Sequence, residues 1–259
     1  MIFNEDCRKT MTGMNPHSID AVMTSPPYNM TSRKGGMGDT GRYDEYEDWM
    51  DYDEYVGFTV GIFQQFDRVV KENGVVLYNF GYSIENPSFP YRLVNEIVDN
   101  TEWTLVDTIA WVKKNSVPFP ANKRRLSRIW EFVWVFARKS EIDTFRVNRK
   151  EACTGDNGQV YYETKQNIVF CPNNDASTPN LNQATYSSEL VKSILDLYCQ
   201  EGDLVYDPFM GTGTTAVACV EMGMEYIGSE LSKNQCDYAR DRVENVEKKR
   251  RYNRKITDW

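Results

Sequence analysis

Two consecutive prolines, Pro26 and Pro27, follow directly on the run Ile19-Asp20-Ala21-Val22-Met23-Thr24-Ser25. The apolar part of that run reads as a short buried strand. Two residues that lack an N–H and hold φ fixed must end it. The chain therefore leaves the strand in a stiff loop at its carboxyl end, Thr24-Ser25-Pro26-Pro27-Tyr28. That loop carries a hydroxyl on Ser25, a carbonyl outside any ladder at Pro26 and an aromatic face on Tyr28. The set suits a flat, amine-bearing ring: the two oxygens accept the amine hydrogens while Tyr28 stacks on the ring. An ordinary turn fits the same five residues equally well, because Pro-Pro pairs are common in loops.

A second stretch tips that balance. Asp207-Pro208-Phe209-Met210-Gly211-Thr212-Gly213-Thr214-Thr215 follows the short apolar strand Asp203 to Tyr206 and leads into a helix-like run, Ala216 to Met222. Strand, glycine turn and helix let a cofactor approach the backbone and a helix N-terminus. Another short strand, Tyr226 to Ser229, ends at Glu230, where a carboxylate can take both hydroxyls of a ribose. A tight glycine turn in any α/β protein accounts for part of this pattern, but not for the acid at the end of the next strand.

Together the two stretches resemble the motifs of the DNA amino-methyltransferases, which methylate exocyclic amines of cytosine or adenine. Thr24-Ser25-Pro26-Pro27-Tyr28 looks like the catalytic motif, and Asp207-Pro208-Phe209-x-Gly211-x-Gly213-Thr214-Thr215 like the S-adenosyl-L-methionine motif. Catalytic motif first and cofactor motif last is the order of the circularly permuted β group. The resemblance covers nearly the whole chain. It implies one Rossmann-like α/β methyltransferase domain over residues 1–259, with a mixed sheet of seven strands, helices on both faces and a short target-recognition insertion at about 140–180. It implies catalytic roles for Ser25, Pro26, Pro27 and Tyr28. It implies cofactor contacts from Thr24, Asp207, Pro208, Phe209, Gly211, Gly213, Thr214 and Glu230. Asp6, at the end of a first strand, would face the cofactor's adenine amine, and it also suits the N-cap of the helix that follows. Asn182 to Leu190 resembles the family's His-x-Ala-x-Phe-Pro-x-x-Leu motif at the methionine end of the cofactor. It adds Asn182 and Thr185, but departs from the pattern at Asn182, Tyr186 and Ser187.

The 259 residues suffice for one full core. No apolar run is long enough to span a bilayer and no signal peptide opens the chain, so the expected location is cytoplasmic and no membrane is a partner. Six scattered cysteines without a Cys-x-x-Cys pair read as reduced thiols. A single histidine, His17, excludes histidine-based triads and multi-histidine metal sites. Methyl transfer from a sulfonium needs neither, and no metal is expected.

A net charge of −8 argues against nucleic acid until its distribution is seen. Residues 39–54 hold eight acids against Arg42 alone, whereas residues 113–150 hold eleven Lys or Arg against three acids. Segregated basic stretches can line a phosphate track even on an acidic protein, although most charge runs are solvated faces. Lys123, Arg124, Arg125 and Arg128 in the loop between two strands, with Arg146 and Arg149 beyond, are the expected phosphate contacts. The two strands, Leu105–Val112 and Trp130–Ala137, read as the antiparallel pair that closes the sheet. Glu131 echoes an acidic position of the family, without an assigned role. DNA is the implied partner. A cognate restriction endonuclease acting on the same site and a homodimer are admitted by the resemblance and selected by nothing in the sequence.

The mechanism implied is in-line attack by the amine of a flipped base. Ser25 and the Pro26 carbonyl would hold the amine and Tyr28 would stack on the ring, so that Tyr28→Phe should be milder than Tyr28→Ala. Gly213→Asp should abolish cofactor binding with the fold intact. Ser25 favours cytosine-N4, because the family's adenine enzymes mostly carry Asp at that place; adenine-N6 is the alternative. A nicotinamide-dependent oxidoreductase is a remote third reading, since Gly211-x-Gly213-x-x-Ala216 formally fits a dinucleotide fingerprint. It leaves Thr-Ser-Pro-Pro-Tyr unexplained and too little chain for a second half-sheet.

Overall fold

The computed structural model describes residues 1–29, 50–81, 86–116, 126–175 and 185–257. Its centre is a sheet built from β1 (Ile2–Phe3), β2 (Ile19–Thr24), β3 (Val70–Phe80), β4 (Trp103–Lys113), β5 (Trp130–Arg138), β8 (Ile168–Cys171), β9 (Leu204–Asp207) and β10 (Glu225–Ser229). A separate hairpin pairs β6 (Glu151–Thr154) with β7 (Val160–Tyr162). The main sheet has the order β1-β10-β9-β2-β3-β5-β4-β8. Within it only β5 runs against its neighbours.

The sheet is mixed, as expected, but it has an eighth strand. β8 lies parallel to β4 and places Val169 opposite Trp111. The antiparallel pair β4–β5 therefore does not close the sheet; β8 does. Its four residues come from the stretch expected to be a recognition insertion, where the polar flanks hide a short apolar run.

Both faces of the sheet are covered, so the central strands are nearly continuous apolar runs. Side-chain alternation sorts them. Tyr78, Phe80, Phe132, Trp134 and Phe136 face α2 (Tyr52–Val69) and α3 (Phe89–Asn100), with Phe63, Phe66 and Trp103 filling the layer. Trp134 stacks on Tyr78 at 6.2 Å and 6°, and on Phe80 at 5.3 Å and 18°. Met23, Leu77, Val133, Val135 and Val205 face the other way, onto α4 (Ser188–Tyr198) and α5 (Thr214–Met222). α6 (Lys233–Thr257) packs on α5 through Ala239 and Val243, against Ala216 and Val217. The helix α1 (Cys7–Gly13) follows β1.

α2 stops at Val69, and the chain turns at once into β3. Gly74 lies within that strand. A Cβ there would come 2.8 Å from the Asp20 carbonyl oxygen, so only glycine lets β2 and β3 approach this closely.

β9 continues through α5 to β10 on one side, whereas β2 continues through α2 to β3 on the other. β9 and β2 are neighbours. Their carboxyl ends are thus a topological switch point, where connections diverge and open a crevice. Asp207 ends β9 and Thr24 ends β2, so both motifs meet at that crevice.

Candidate active site

A cavity of about 320 Å³ occupies this edge of the sheet, lined by Asp6, Ser25, Pro27, Thr185, Pro208, Phe209, Gly211, Thr214 and Glu230 among others. Its size is that of a small-molecule site. Glu230 organises one end. Its Oε2 accepts from Gly211 N at 2.8 Å and its Oε1 from Ser232 N at 2.8 Å. The carboxylate is thereby held at the carboxyl end of β10, with Gly211 in the left-handed region at φ 54°. Asp6 faces the same cavity and caps α1, accepting from Arg8 N at 2.8 Å. The Arg8 side chain, hydrogen-bonded to it, holds the Asp6 carboxyl below its ordinary range. Arg8 in turn lies over the Phe58 ring, and Phe58 meets Phe209 at 6.1 Å. One wall is therefore aromatic, and two carboxylates line the same cavity.

Asp207 lies behind the cavity. Its Oδ1 accepts from Thr24 Oγ1 at 2.7 Å and from Phe209 N at 3.0 Å. Its Oδ2 accepts from Thr215 Oγ1 at 2.5 Å, with Tyr186 Oη at 3.2 Å. The carboxylate is fully buried, and that burial raises its pKa from 3.8. It joins the strand carrying the loop of residues 24–28 to the glycine turn and to the stretch before α4. Two departures from the family pattern have uses here. Tyr186 brings a hydroxyl that phenylalanine would lack, and burial, then the Asp207 charge, keeps it protonated. Ser187 caps α4, accepting from Leu190 N at 3.3 Å.

The glycine motif divides by role. Gly211 lines the cavity. At Gly213 (φ 83°) a Cβ would lie 2.8 Å from the Cβ of Ala239 on α6. A side chain at Gly213 therefore strikes α6 in a strained backbone region, and Gly213→Asp disrupts packing rather than leaving the fold intact.

The loop of residues 24–28 is braced on three sides. Tyr55 Oη donates to the Pro27 carbonyl at 2.6 Å, and Pro26 is buried. Asn29, in the left-handed region at φ 50°, clasps Met50 with paired bonds of 2.7 and 2.9 Å. Tyr28 Oη lies 3.0 Å from Ser25 Oγ, 2.7 Å from Asn79 Oδ1 on β3 and 3.0 Å from Glu131 Oε2 on β5. Lys113, at the end of β4, pairs with the other Glu131 oxygen. Sequence reasoning missed Asn79, Lys113 and Tyr55 and left Glu131 without a role. The signal was present: a polar residue inside each buried run, Val75–Phe80 and Trp130–Ala137, demands a partner.

Close packing holds the Tyr28 ring. A Cβ at Gly81 would lie 2.8 and 2.9 Å from two of its carbons. Gly81→Ala is thus expected to displace Tyr28 and lower turnover about tenfold or more, consistent with the cost of misplacing a positioned group by about an ångström. Cofactor affinity, measured by calorimetry, should be unchanged.

The basic residues are dispersed. Arg128 stands two residues before β5, at the edge of the sheet that bears the catalytic loop. Lys123, Arg124 and Arg125 lie outside the described residues, as does Asn182. Arg146 is at the opposite edge, paired with Asp203 and 4.0 Å from Asp20, before β9 and within the start of β2. Arg149 bonds the Glu163 carbonyl at 3.0 and 3.1 Å and lies over Tyr162. Among the described residues no cluster of His, Cys, Asp and Glu suits a metal, and no helix is long and apolar enough to cross a membrane.

An adenosyl sulfonium fits the cavity. Two carboxylates suit a ribose and an aromatic amine, the Phe58–Phe209 wall suits a purine, and buried Thr212 Oγ1 has no hydrogen-bond partner among the described residues. The DNA methylase profile of the N6/N4 class matches residues 19–241, and the chain belongs to that family, whose members are DNA methyltransferases using S-adenosyl-L-methionine. The Type II methyltransferase M.MwoI of Methanothermobacter wolfeii is 28% identical over 227 residues, 85% of this chain but only 30% of that protein. The orphan methyltransferase M.BamHII of Bacillus amyloliquefaciens is 28% identical over 258 residues, 88% of this chain and 89% of that one. Among solved structures, the cytosine-N4-specific PvuII DNA methyltransferase superposes with a TM-score of 0.70 at 17% identity, over 95% of this chain and 90% of that one. M1.HpyAVI, solved with S-adenosyl-L-methionine, gives 0.61 at 20% identity, over 94% and 98%. Family membership removes the oxidoreductase reading.

Proposed function

We propose that the chain methylates the exocyclic N4 amine of a cytosine flipped out of DNA. The observation that carries this is the placement of Ser25. It lines the cavity that fits the methyl donor, while its hydroxyl lies 3.0 Å from a Tyr28 anchored on two strands. S-adenosyl-L-methionine supplies a methyl group on a positive sulfur. The chain's task is to present a weak nucleophile, because an aromatic amine shares its lone pair with the ring. Hydrogen bonds from the amine to Ser25 Oγ and the Pro26 carbonyl favour a pyramidal nitrogen aimed along the line of attack. No group in the loop is a strong base, so the proton is lost after transfer.

In this reading Asp6 takes the adenine amine, Glu230 the ribose, and Thr185, Thr214 and Thr212 the methionine end; Asn182 is assigned to the same end by its motif alone. Pro208 and Phe209 pack on the purine, while Thr24, Asp207 and Gly213 hold the walls in place. A serine at the head of the loop, as against an aspartate, supports cytosine, as does the likeness to a cytosine-N4 enzyme. DNA from cells expressing the protein, digested and analysed by nucleoside mass spectrometry, is expected to contain 4-methylcytosine; 6-methyladenine in its place overturns the choice of base.

Residues 140–180 serve target recognition, and Lys123, Arg124, Arg125 and Arg128 contact phosphates. Reversing charge at Arg124, Arg125 and Arg128 is expected to weaken binding on all sequences and to flatten the dependence of log K on log salt by about one for each phosphate no longer neutralised. An unchanged salt slope would return them to solvent. The Type II relative supports a cognate restriction endonuclease acting on the same site.

A further inference from the structure

Tyr28 has one phenolic proton, and Asn79 Oδ1, Glu131 Oε2 and Ser25 Oγ all lie within hydrogen-bond reach of its oxygen. Two of these can only accept. Glu131 is a carboxylate, and Lys113 occupies its other oxygen. Asn79 commits its Nδ2 to the Phe132 carbonyl at 2.8 Å, which turns its oxygen to Tyr28. The Tyr28 proton therefore points inward, to Asn79 or Glu131. Ser25 then has one role left in this contact, as donor to the Tyr28 oxygen. Its lone pairs are left for a partner in the cavity.

We propose that Glu131 and Asn79 set the hydrogen-bond polarity of the catalytic loop, making Ser25 an acceptor toward the substrate amine through Tyr28. This rests on the reading of Ser25 as the amine's acceptor. Glu131 is a positioning residue, since it acts only through Tyr28. Lys113 makes the polarity testable. In Glu131→Gln the ammonium holds the amide oxygen, so the amide NH2 faces Tyr28. Asn79 Oδ1 keeps the Tyr28 proton, so the new donor competes with Ser25 for the Tyr28 lone pairs and turns the Ser25 proton into the cavity, against the amine hydrogens.

The test is single-turnover methylation of duplex DNA by the full chain, with cofactor and DNA affinities measured beside it. Glu131→Gln should lower the rate about tenfold, a fraction of the 10²–10³ that removal of a preorganised group costs. Both affinities should hold. Tyr28→Phe, which keeps the ring but ends the chain of hydrogen bonds, should lower the rate by a similar factor. It is therefore less mild than stacking alone implies. In the Tyr28→Phe background Glu131→Gln should cost nothing further. A full rate in Tyr28→Phe, or the same fall from Glu131→Gln in both backgrounds, overturns the inference. Loss of activity in Ser25→Ala beside full activity in Glu131→Gln overturns it alone. Full activity in Ser25→Ala overturns the underlying reading as well.

Discussion

Ser25→Ala is expected to lower the single-turnover rate of methyl transfer about 10²-fold, as removal of one preorganised polar group does elsewhere. The hydroxyl sits on a loop that cannot rearrange to replace it. Pro26 and Pro27 fix φ, Tyr55 holds the Pro27 carbonyl, and Tyr28 is anchored at Asn79. The bond from the amine to Ser25 matters most as the nitrogen becomes pyramidal, so the loss falls on the rate and not on binding. Calorimetry should show unchanged affinity for S-adenosyl-L-methionine, because the contacts proposed for its ribose and adenine ends, Glu230, Asp6 and the Phe58–Phe209 wall, are untouched by the substitution. A rate within twofold of the wild type would deny Ser25 any role in the reaction.

Asp207→Ala should do broader damage. The carboxylate accepts from Thr24, Thr215 and the Phe209 N–H, with Tyr186 beside it, and alanine leaves these buried donors without it. Each orphaned buried group costs about 1–3 kcal/mol, so a loss of several kcal/mol is expected from urea unfolding. Cofactor binding should fail too, since the link between β2 and the cofactor turn is gone. Asp207→Asn keeps the shape and tests the charge. Burial raises the Asp207 pKa, so the folded state holds this proton more tightly than the unfolded state. Its favourable contribution is complete below the ordinary 3.8 and is lost as pH rises through the folded value. Stability of the wild type relative to Asp207→Asn should therefore fall as pH rises from about 3.8.

What the sequence discloses here is local. Two prolines stop a strand wherever they occur, and a glycine turn between two short strands announces itself without reference to the rest of the chain. What it hides depends on partners distant in the chain. Asn79 and Glu131 look like blemishes in apolar runs until β3 and β5 pair Phe80 with Phe132 and set both beside Tyr28. Arg146 reads as one more basic residue in a basic stretch. Asp203, 57 positions away, claims it at the far edge of the sheet. Gly213 carries the same motif label as Gly211, yet its neighbour is Ala239 of α6, and no local pattern foretells that contact. β8 escapes notice because four residues, paired on one side only, show too little alternation to stand out from their polar flanks.

The central claim is that the cavity edge at Ser25 delivers a methyl group to the N4 amine of cytosine. The most direct measurement incubates the purified chain with duplex DNA and S-adenosyl-L-methionine deuterated in its methyl group, then digests the DNA and weighs its nucleosides. The account predicts the label in 4-methylcytosine, appearing there about 10²-fold more slowly when Ser25→Ala replaces the wild type under single-turnover conditions. Label in 6-methyladenine, or in 4-methylcytosine at the same rate from Ser25→Ala, would contradict it.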